Sequence, residues 1–276
     1  MTNQKQKEFW SGQGGKNWVQ KKETLDNMLN PFGNAALQNL NLSNKSNVID
    51  IGCGSGETTF QIAESIATEG TVTGIDISEP LLEHANTINS HTNVNFINAD
   101  VQSNTLKPNT FSHAFSRFGV MFFDDSVTAF KNIHQSLKAN GTLSFVCWQS
   151  PQKNLWQTLV MMEIKKIIDF PTPNPKDPGP FAFGDQNYIN RILSKAAFKN
   201  IAIDGFEKDV LIFNNYTAEE AVSEMMALNP ALQFLNEQPK KKQAEIKTAV
   251  VSKFNEYKDG TGFKFPSAAW LVSASK

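Results

Sequence analysis

From residue 47 onward, short apolar runs alternate with stretches whose apolar positions recur every three or four residues. "NVIDI" (47–51) has the unbroken apolar character of a buried strand, and after it Phe60, Ala63, Ile66 and Ala67 fall on one helical face. "TVTGIDI" predicts a second strand. "SEPLLEHANTI" predicts the helix that follows, with Ser78 as its N-cap and Pro80 in the first turn. "NVNFINAD" and "TFSHAFSRF" read as strands three and four. Val127, Phe130, Ile133 and Leu137 then mark an amphipathic helix ending at "KANG", where Gly141 suits a left-handed cap, and "TLSFVCW" is a fifth strand. Strands separated by helices in this rhythm predict right-handed crossovers and a parallel sheet, hence an α/β core.

Past Trp148 the rhythm breaks. "PTPNPKDPGP" (171–180) holds five prolines and neither period, which predicts an extended surface segment. Helix resumes at "QNYINRILSKAAF", strands at "NIAIDGFEKDVLIF", and two helical patterns fill roughly 217–258 before a last strand in "GFKFPSAAWLVSASK". The expected organisation is an N-terminal helical lid over 1–40, a core over 41–150, an extended Pro-rich connection over 151–185, and the rest of the sheet over 186–276 with a helical insertion at about 217–258.

With 276 residues, 40% of them hydrophobic, the chain can bury a sizeable core. A formal charge of −1 lacks the basic excess that neutralises phosphates, so nucleic acid is not the expected partner. The run Lys240-Lys241-Lys242 reads as a solvated helix start. The two cysteines, Cys53 and Cys147, form neither a disulfide framework nor a zinc spacing, and no metal is expected. No apolar signal core opens the chain and no apolar run could span a membrane, so a cytoplasmic protein is expected.

The chemistry concentrates in "NVIDIGCGSGETTF" (47–60), where an apolar run ends in Asp50 and Gly52, Gly54 and Gly56 follow two apart. In open α/β sheets a ligand lies outside the carboxyl ends of the strands, and glycine there admits positive φ and close backbone approach. A dinucleotide fingerprint needs its last glycine at 57, where Glu57 stands, and a Gly-Lys-Ser/Thr phosphate loop is missing. Carboxylates here would repel phosphates, so the stretch suits a cofactor without them.

"VIDIGCGSG" resembles the first motif of class I S-adenosylmethionine-dependent methyltransferases. The resemblance implies a Rossmann-like, seven-stranded, mostly parallel sheet with helices on both faces, an N-terminal helical segment and helical lid insertions. It implies S-adenosyl-L-methionine as cofactor and S-adenosyl-L-homocysteine as product. Asp76, in "GIDIS", would hold both ribose hydroxyls, with Ile77 against the adenine; Asp100, in "NAD", would meet the adenine amino group beside the Val101 backbone. Asp50 and the loop Gly52, Cys53, Gly54, Gly56 would face the methionyl end, closed by the Ser116 backbone. Bidentate acceptance by a carboxylate suits a pair of ribose hydroxyls, and carboxylates suit a sulfonium. "FSRFGVMFFDD", "WQSPQKNLW", "GPFAFGD" and "AAWLVSASK" are similar to a bacterial branch of small-molecule enzymes related to the quinone-biosynthesis C-methyltransferases. "FWSGQGGKNWVQKKETLDNMLNPFG" matches that branch's N-terminal helical segment, with Trp10 and Trp18 as its aromatic pair. Ser112 departs from the branch, which often has Asp there.

The methyl acceptor is expected to be a small, largely apolar or aromatic molecule, methylated at carbon or oxygen. Twenty-one phenylalanines against three tyrosines suggest an apolar pocket, with Trp10, Trp18 and "GPFAF" as lids and Phe118 and Met121 in its wall. Arg117 stands at the mouth, free either to pair with an acceptor's carboxylate or phenolate or to anchor Asp124 or Asp125. His84, His91 and His134 read as surface residues and His113 as a structural strand residue, so no catalytic base is assigned. Two other readings compete: a binding protein that keeps the cofactor site without catalysis, and a nicotinamide-linked oxidoreductase, which Glu57 opposes.

Overall fold

The computed structural model describes residues 3–170, 174, 176–228 and 230–276, the side chains of residues 68, 227, 228, 230, 231 and 233 aside. Three helices lead: α1 (Gln4–Ser11), α2 (Gln13–Gln20) and α3 (Lys22–Leu37). The alternating core follows as β1 (Asn47–Ile51), α4 (Glu57–Ile66), β2 (Thr71–Asp76), α5 (Glu79–Ile88), β3 (Val94–Asn98), β4 (Phe111–Arg117), α6 (Ser126–Ser136) and β5 (Leu137–Trp148). Then come α7 (Leu155–Ile167), α8 (Gln186–Lys195), β6 (Lys199–Glu207), β7 (Val210–Ile212), α9 (Ala218–Leu228), α10 (Lys240–Asn255), β8 (Lys258–Asp259), β9 (Gly262–Phe265) and β10 (Ala268–Ser275).

The chain divides into two compact units. The first comprises residues 1–149, 175–206 and 269–276, and the second residues 150–174 and 207–268. A seven-stranded sheet in the order β3-β2-β1-β4-β5-β10-β6 runs through the first, with helices on both faces. β1, β2, β3, β4 and β5 are parallel neighbours, while β10 pairs β5 antiparallel. Chain order reverses between β1 and β4, the switch point at which such sheets open a crevice beyond their carboxyl ends.

The core of the first unit gathers around Phe130 of α6, which is fully buried against Phe145, Phe183 and Phe198. Phe32 and Ala36 of α3 are fully buried, and the Ser144 hydroxyl of β5 donates to the Ala36 carbonyl at 2.7 Å, so α3 is fixed to the sheet. In the second unit β7, β9 and β8 form a small antiparallel sheet, and Phe254 of α10 packs on Phe263 and Phe265 at 4.6 and 5.1 Å. Asn154 joins that unit's ends, donating to the Ala268 carbonyl and accepting from the Ala268 amide.

Several local expectations change. Residues 155–167 of the stretch expected to be extended form α7, while Pro171, Thr172, Pro173 and Pro175 lie outside the described residues. The last expected strand is two, β9 and β10, in different sheets. Helix α6 stops at Ser136, and the left-handed residue beyond it is Asn140, not Gly141. The buried face of α4 runs through Thr58, Thr59, Ile62, Ala63 and Ile66; Phe60 lies off it, edge-on to Phe96. Ser112 accepts from the Asn47 amide and donates to the Asn47 carbonyl, so it stitches β4 to the start of β1. No helix among the described residues is long and apolar enough to cross a membrane.

Phe130→Ala would open a large cavity at the meeting point of α6, β5 and the segment around Phe183. The expected loss is about 3–5 kcal/mol of stability, read as a lower urea midpoint.

Candidate functional site

The ends of β1, β2 and β4 lie side by side at the switch point. Asp50 is the penultimate residue of β1, in register with Gly74 of β2 and Phe115 of β4. It is fully buried, and its Oδ2 accepts from the Thr58 and Thr59 hydroxyls, each at 2.7 Å. Its Oδ1 is buried and has no hydrogen-bond partner among the described residues. Burial pushes the Asp50 carboxyl up to about 6, against the two threonine hydroxyls and the Arg117 charge, and the negative charge of Asp76 adds to the rise.

Asp76 ends β2 and is 9% exposed. Its Oδ2 accepts from the Gly54 amide and its Oδ1 from the Ser78 amide, both at 2.8 Å. Burial raises this carboxyl too, opposed by those amides and the Ile77 backbone. The carboxylate expected to serve a ligand alone therefore also ties the glycine loop to the turn after β2. Ser78 occupies the N-cap position of α5, but its hydroxyl donates to the Trp10 carbonyl at 2.6 Å instead of capping the helix.

All three loop glycines have positive φ, at +66°, +55° and +85° for Gly52, Gly54 and Gly56. Their surroundings differ. A Cβ on Gly52 would lie 2.7 Å from the Gly119 Cα, and one on Gly56 would meet the Phe60 and Phe96 rings. Of the three, only the space over Gly54 is open, with nothing within 4 Å among the described residues. Two of the three positions are therefore glycine for the protein's own packing, and one faces room for a ligand. Cys53 between them is buried, its amide bonded to the Ile75 carbonyl, and burial holds its thiol well above the usual range.

The other expected cofactor residues are placed as follows. Ile77 is half-buried and its carbonyl accepts from the Ser11 hydroxyl. Asp100 is half-buried and accepts from the Gln102 amide and the Ser103 hydroxyl, closing its own turn, while Val101 is buried. The Ser116 hydroxyl donates to the Ile51 carbonyl at 2.7 Å and accepts from the Gly119 amide, locking β4 to β1 at the crevice.

The expected acceptor residues are more enclosed than their sequence suggested. Arg117 donates to Asp26 Oδ1 at 2.5 Å and Asn30 Oδ1 at 2.6 Å, so its partners are on α3 and not at Asp124 or Asp125. Phe118 is buried, held at φ +60°, and stacked on Trp148 at 4.1 Å. A bulky residue in that backbone region is strained, and such strain gathers at functional turns. Met121 is 1% exposed and its carbonyl accepts from the Gly179 amide. Phe183 of "GPFAF" is core and not lid. Trp18 stays half-buried, edge-on to Trp10 at 5.5 Å, and Trp10 is edge-on to Phe122.

The histidines are committed elsewhere. His113 Nδ1 pairs with the Thr142 hydroxyl, His134 meets the Phe198 ring, and His91 stacks on Phe60. His84 lines a polar cleft of about 360 Å³ with Lys22, Asp26 and Glu57. Asp26 itself, bonded to both Lys22 and Arg117, was not singled out in the sequence, because a lone acid on a helix carries no motif. Among the described residues no group of three potential metal ligands occurs.

Residues 48–141 match the family model described as "Methyltransferase domain". That stretch is a methyltransferase domain, with S-adenosylmethionine as its methyl donor. The demethylmenaquinone methyltransferase of Staphylococcus epidermidis is 27% identical over 180 residues, covering 62% of this chain and 75% of the relative. Among solved structures, one of a Bacillus halodurans protein superposes with a TM-score of 0.57 at 17% identity, over 88% of this chain and 97% of the other. Haemonchus contortus phosphoethanolamine N-methyltransferase 2, solved with S-adenosylhomocysteine, gives 0.52 at 18% identity, over 89% and 52%. These likenesses agree with the fold built above.

Thr59→Val removes one hydroxyl from an ionised, buried carboxylate while keeping the shape. The expected loss is about 1.5–3 kcal/mol near pH 7.5. It should shrink toward zero at pH 5, below the Asp50 value of about 6, where the protonated carboxyl loses little with the hydroxyl. Paired urea melts of wild type and variant at the two pH values measure the difference.

Proposed function

We propose that the chain transfers a methyl group from S-adenosylmethionine to a small, largely apolar or aromatic molecule, at carbon or oxygen. The observation that carries the reading is the open face of Gly54, whose amide is held by one buried carboxylate, Asp76, beside a second, Asp50, with an unpartnered oxygen. A crevice floored by two desolvated acids suits a ligand with a cationic end and no phosphates, and S-adenosylmethionine has that chemistry. In this reading Asp50 and the Gly52 to Gly56 loop face the methionyl end beside Ser116. Asp76 receives the ribose hydroxyls on its remaining lone pairs, and Ile77, Asp100 and Val101 border the adenine. The N-terminal residues 1–40 act as the lid.

The cofactor supplies an already activated methyl group. The protein then has to align the acceptor in line with it and exclude water, an effect that can lower the barrier by about 7–11 kcal/mol. The chain's resources fit that division: aromatic side chains such as Trp10, Trp18 and Phe122 stand beside the turn after β2, and all four histidines have other engagements or lie in a polar cleft. In this reading none of the four histidines is assigned as a base. The name of the Staphylococcus relatives, demethylmenaquinone methyltransferase, supports an apolar ring compound as acceptor class.

Purified protein, S-adenosylmethionine with a deuterated methyl group and a fractionated cell extract form the deciding assay. A three-dalton increment on a small molecule is expected. Label only on macromolecules would overturn the acceptor class, and binding without any transfer would leave a non-catalytic cofactor-binding protein. A second outcome concerns protons. A cationic ligand lowers the Asp50 carboxyl from its value of about 6, so binding near pH 6 should release a proton. Affinity should fall by about tenfold per pH unit below that value. Calorimetric titrations in two buffers of different ionisation enthalpy count the proton.

A further inference from the structure

Residues that follow Gly56, Asp76 and Ser116 among the expected cofactor contacts are bonded to the N-terminal helices. After Asp76, the Ile77 carbonyl accepts from Ser11 and the Ser78 hydroxyl donates to the Trp10 carbonyl. After Ser116, Arg117 donates to Asp26 and Asn30. After Gly56, Glu57 accepts from Lys22 at 2.9 Å, and Lys22 donates to Asp26 at 2.7 Å. Asp26 is the common member of the last two: its Oδ1 takes Arg117 and its Oδ2 takes Lys22.

The setting makes this more than a surface ion pair. The side chains of Asp26 and Arg117 are each 9% exposed, and α3 is anchored to β5 through Phe32, Ala36 and Ser144. A half-exposed Lys–Glu pair alone contributes little, whereas a carboxylate shared by a buried guanidinium and a second cation has little freedom to move. One fixed carboxylate on a rigid helix therefore holds both the start of α4 and the end of β4.

We propose that Asp26 is a positioning residue for the cofactor site, bracing the glycine loop through Lys22 and Glu57 and the β4 end through Arg117. The inference rests on the cofactor reading above. Because coupling is reciprocal, a brace that favours cofactor binding must itself be ordered by the cofactor.

The full-length protein, with Asp26→Asn, Glu57→Gln and the double variant, tests this through S-adenosylmethionine titration and amide exchange. Each single variant should weaken binding by about fivefold or more, and the double variant by less than the product of the two. S-adenosylmethionine should slow exchange over residues 22–30 in the wild type but not in Asp26→Asn. Glu57 lies at the less buried end of the network, so its variant gives a reading even if Asp26→Asn folds poorly. Wild-type affinity in both single variants, effects that multiply, or protection retained in Asp26→Asn would each overturn the brace. If the wild type binds no S-adenosylmethionine, the cofactor reading falls. Ligand-free exchange at Gly52, Gly54 and Gly119 then decides the brace alone: faster in Asp26→Asn supports it, unchanged refutes it.

Discussion

Two carboxylates buried at the ends of neighbouring strands set the terms for everything around the first strand-to-helix turn. The charge of Asp76 opposes the ionisation of Asp50, and neither is in an ion pair among the described residues. Hydrogen bonds hold them: two threonine hydroxyls on Asp50, the Gly54 and Ser78 amides on Asp76. Keeping two acids desolvated works against stability, and such an arrangement is typical of sites whose electrostatics are completed by a ligand. The raised Asp50 carboxyl makes the ligand-free chain relatively more stable on the acid side of pH 6, while a cationic ligand prefers the alkaline side. In the proposed reading, binding and ligand-free stability thus lean in opposite directions with pH.

Sterics narrow the opening to one place. Gly52 and Gly119 press backbone on backbone where β1 and β4 diverge, and Gly56 yields to Phe60 and Phe96. What remains open is the face of Gly54. The same close approach forces the chain after β4 through Phe118 at positive φ, pinned by its stack on Trp148. The strained turn and the empty glycine face both accompany the close approach of β1 and β4 at the switch point.

Side chains expected near an acceptor are drawn into packing. Arg117 is held by α3, and His113, His134 and His91 are packed against neighbours. In the proposed reading the cofactor brings the activated methyl group, and the protein supplies mainly alignment and exclusion of water.

The order of elements from 47 to 148, the parallel sheet and the acid-and-glycine turn were legible in the chain, because period-two and period-3.6 patterns and positive-φ glycines are local properties. So was the helix start at Lys240, while the Trp10–Trp18 pair came with the family resemblance. Local pattern failed where a choice depended on partners distant in sequence. Arg117 could reach Asp124 or Asp125 nearby, yet it pairs with Asp26, ninety-one positions away, because α3 packs across the sheet beside it. Ser78 has the chemistry of a cap but spends its proton on Trp10. The three glycines look equivalent as letters, and only tertiary packing decides that Gly119, Phe60 and Phe96 fill the space at two of them. Sequence fixes which conformations a residue can adopt, whereas the identity of its neighbour is set by how distant elements pack.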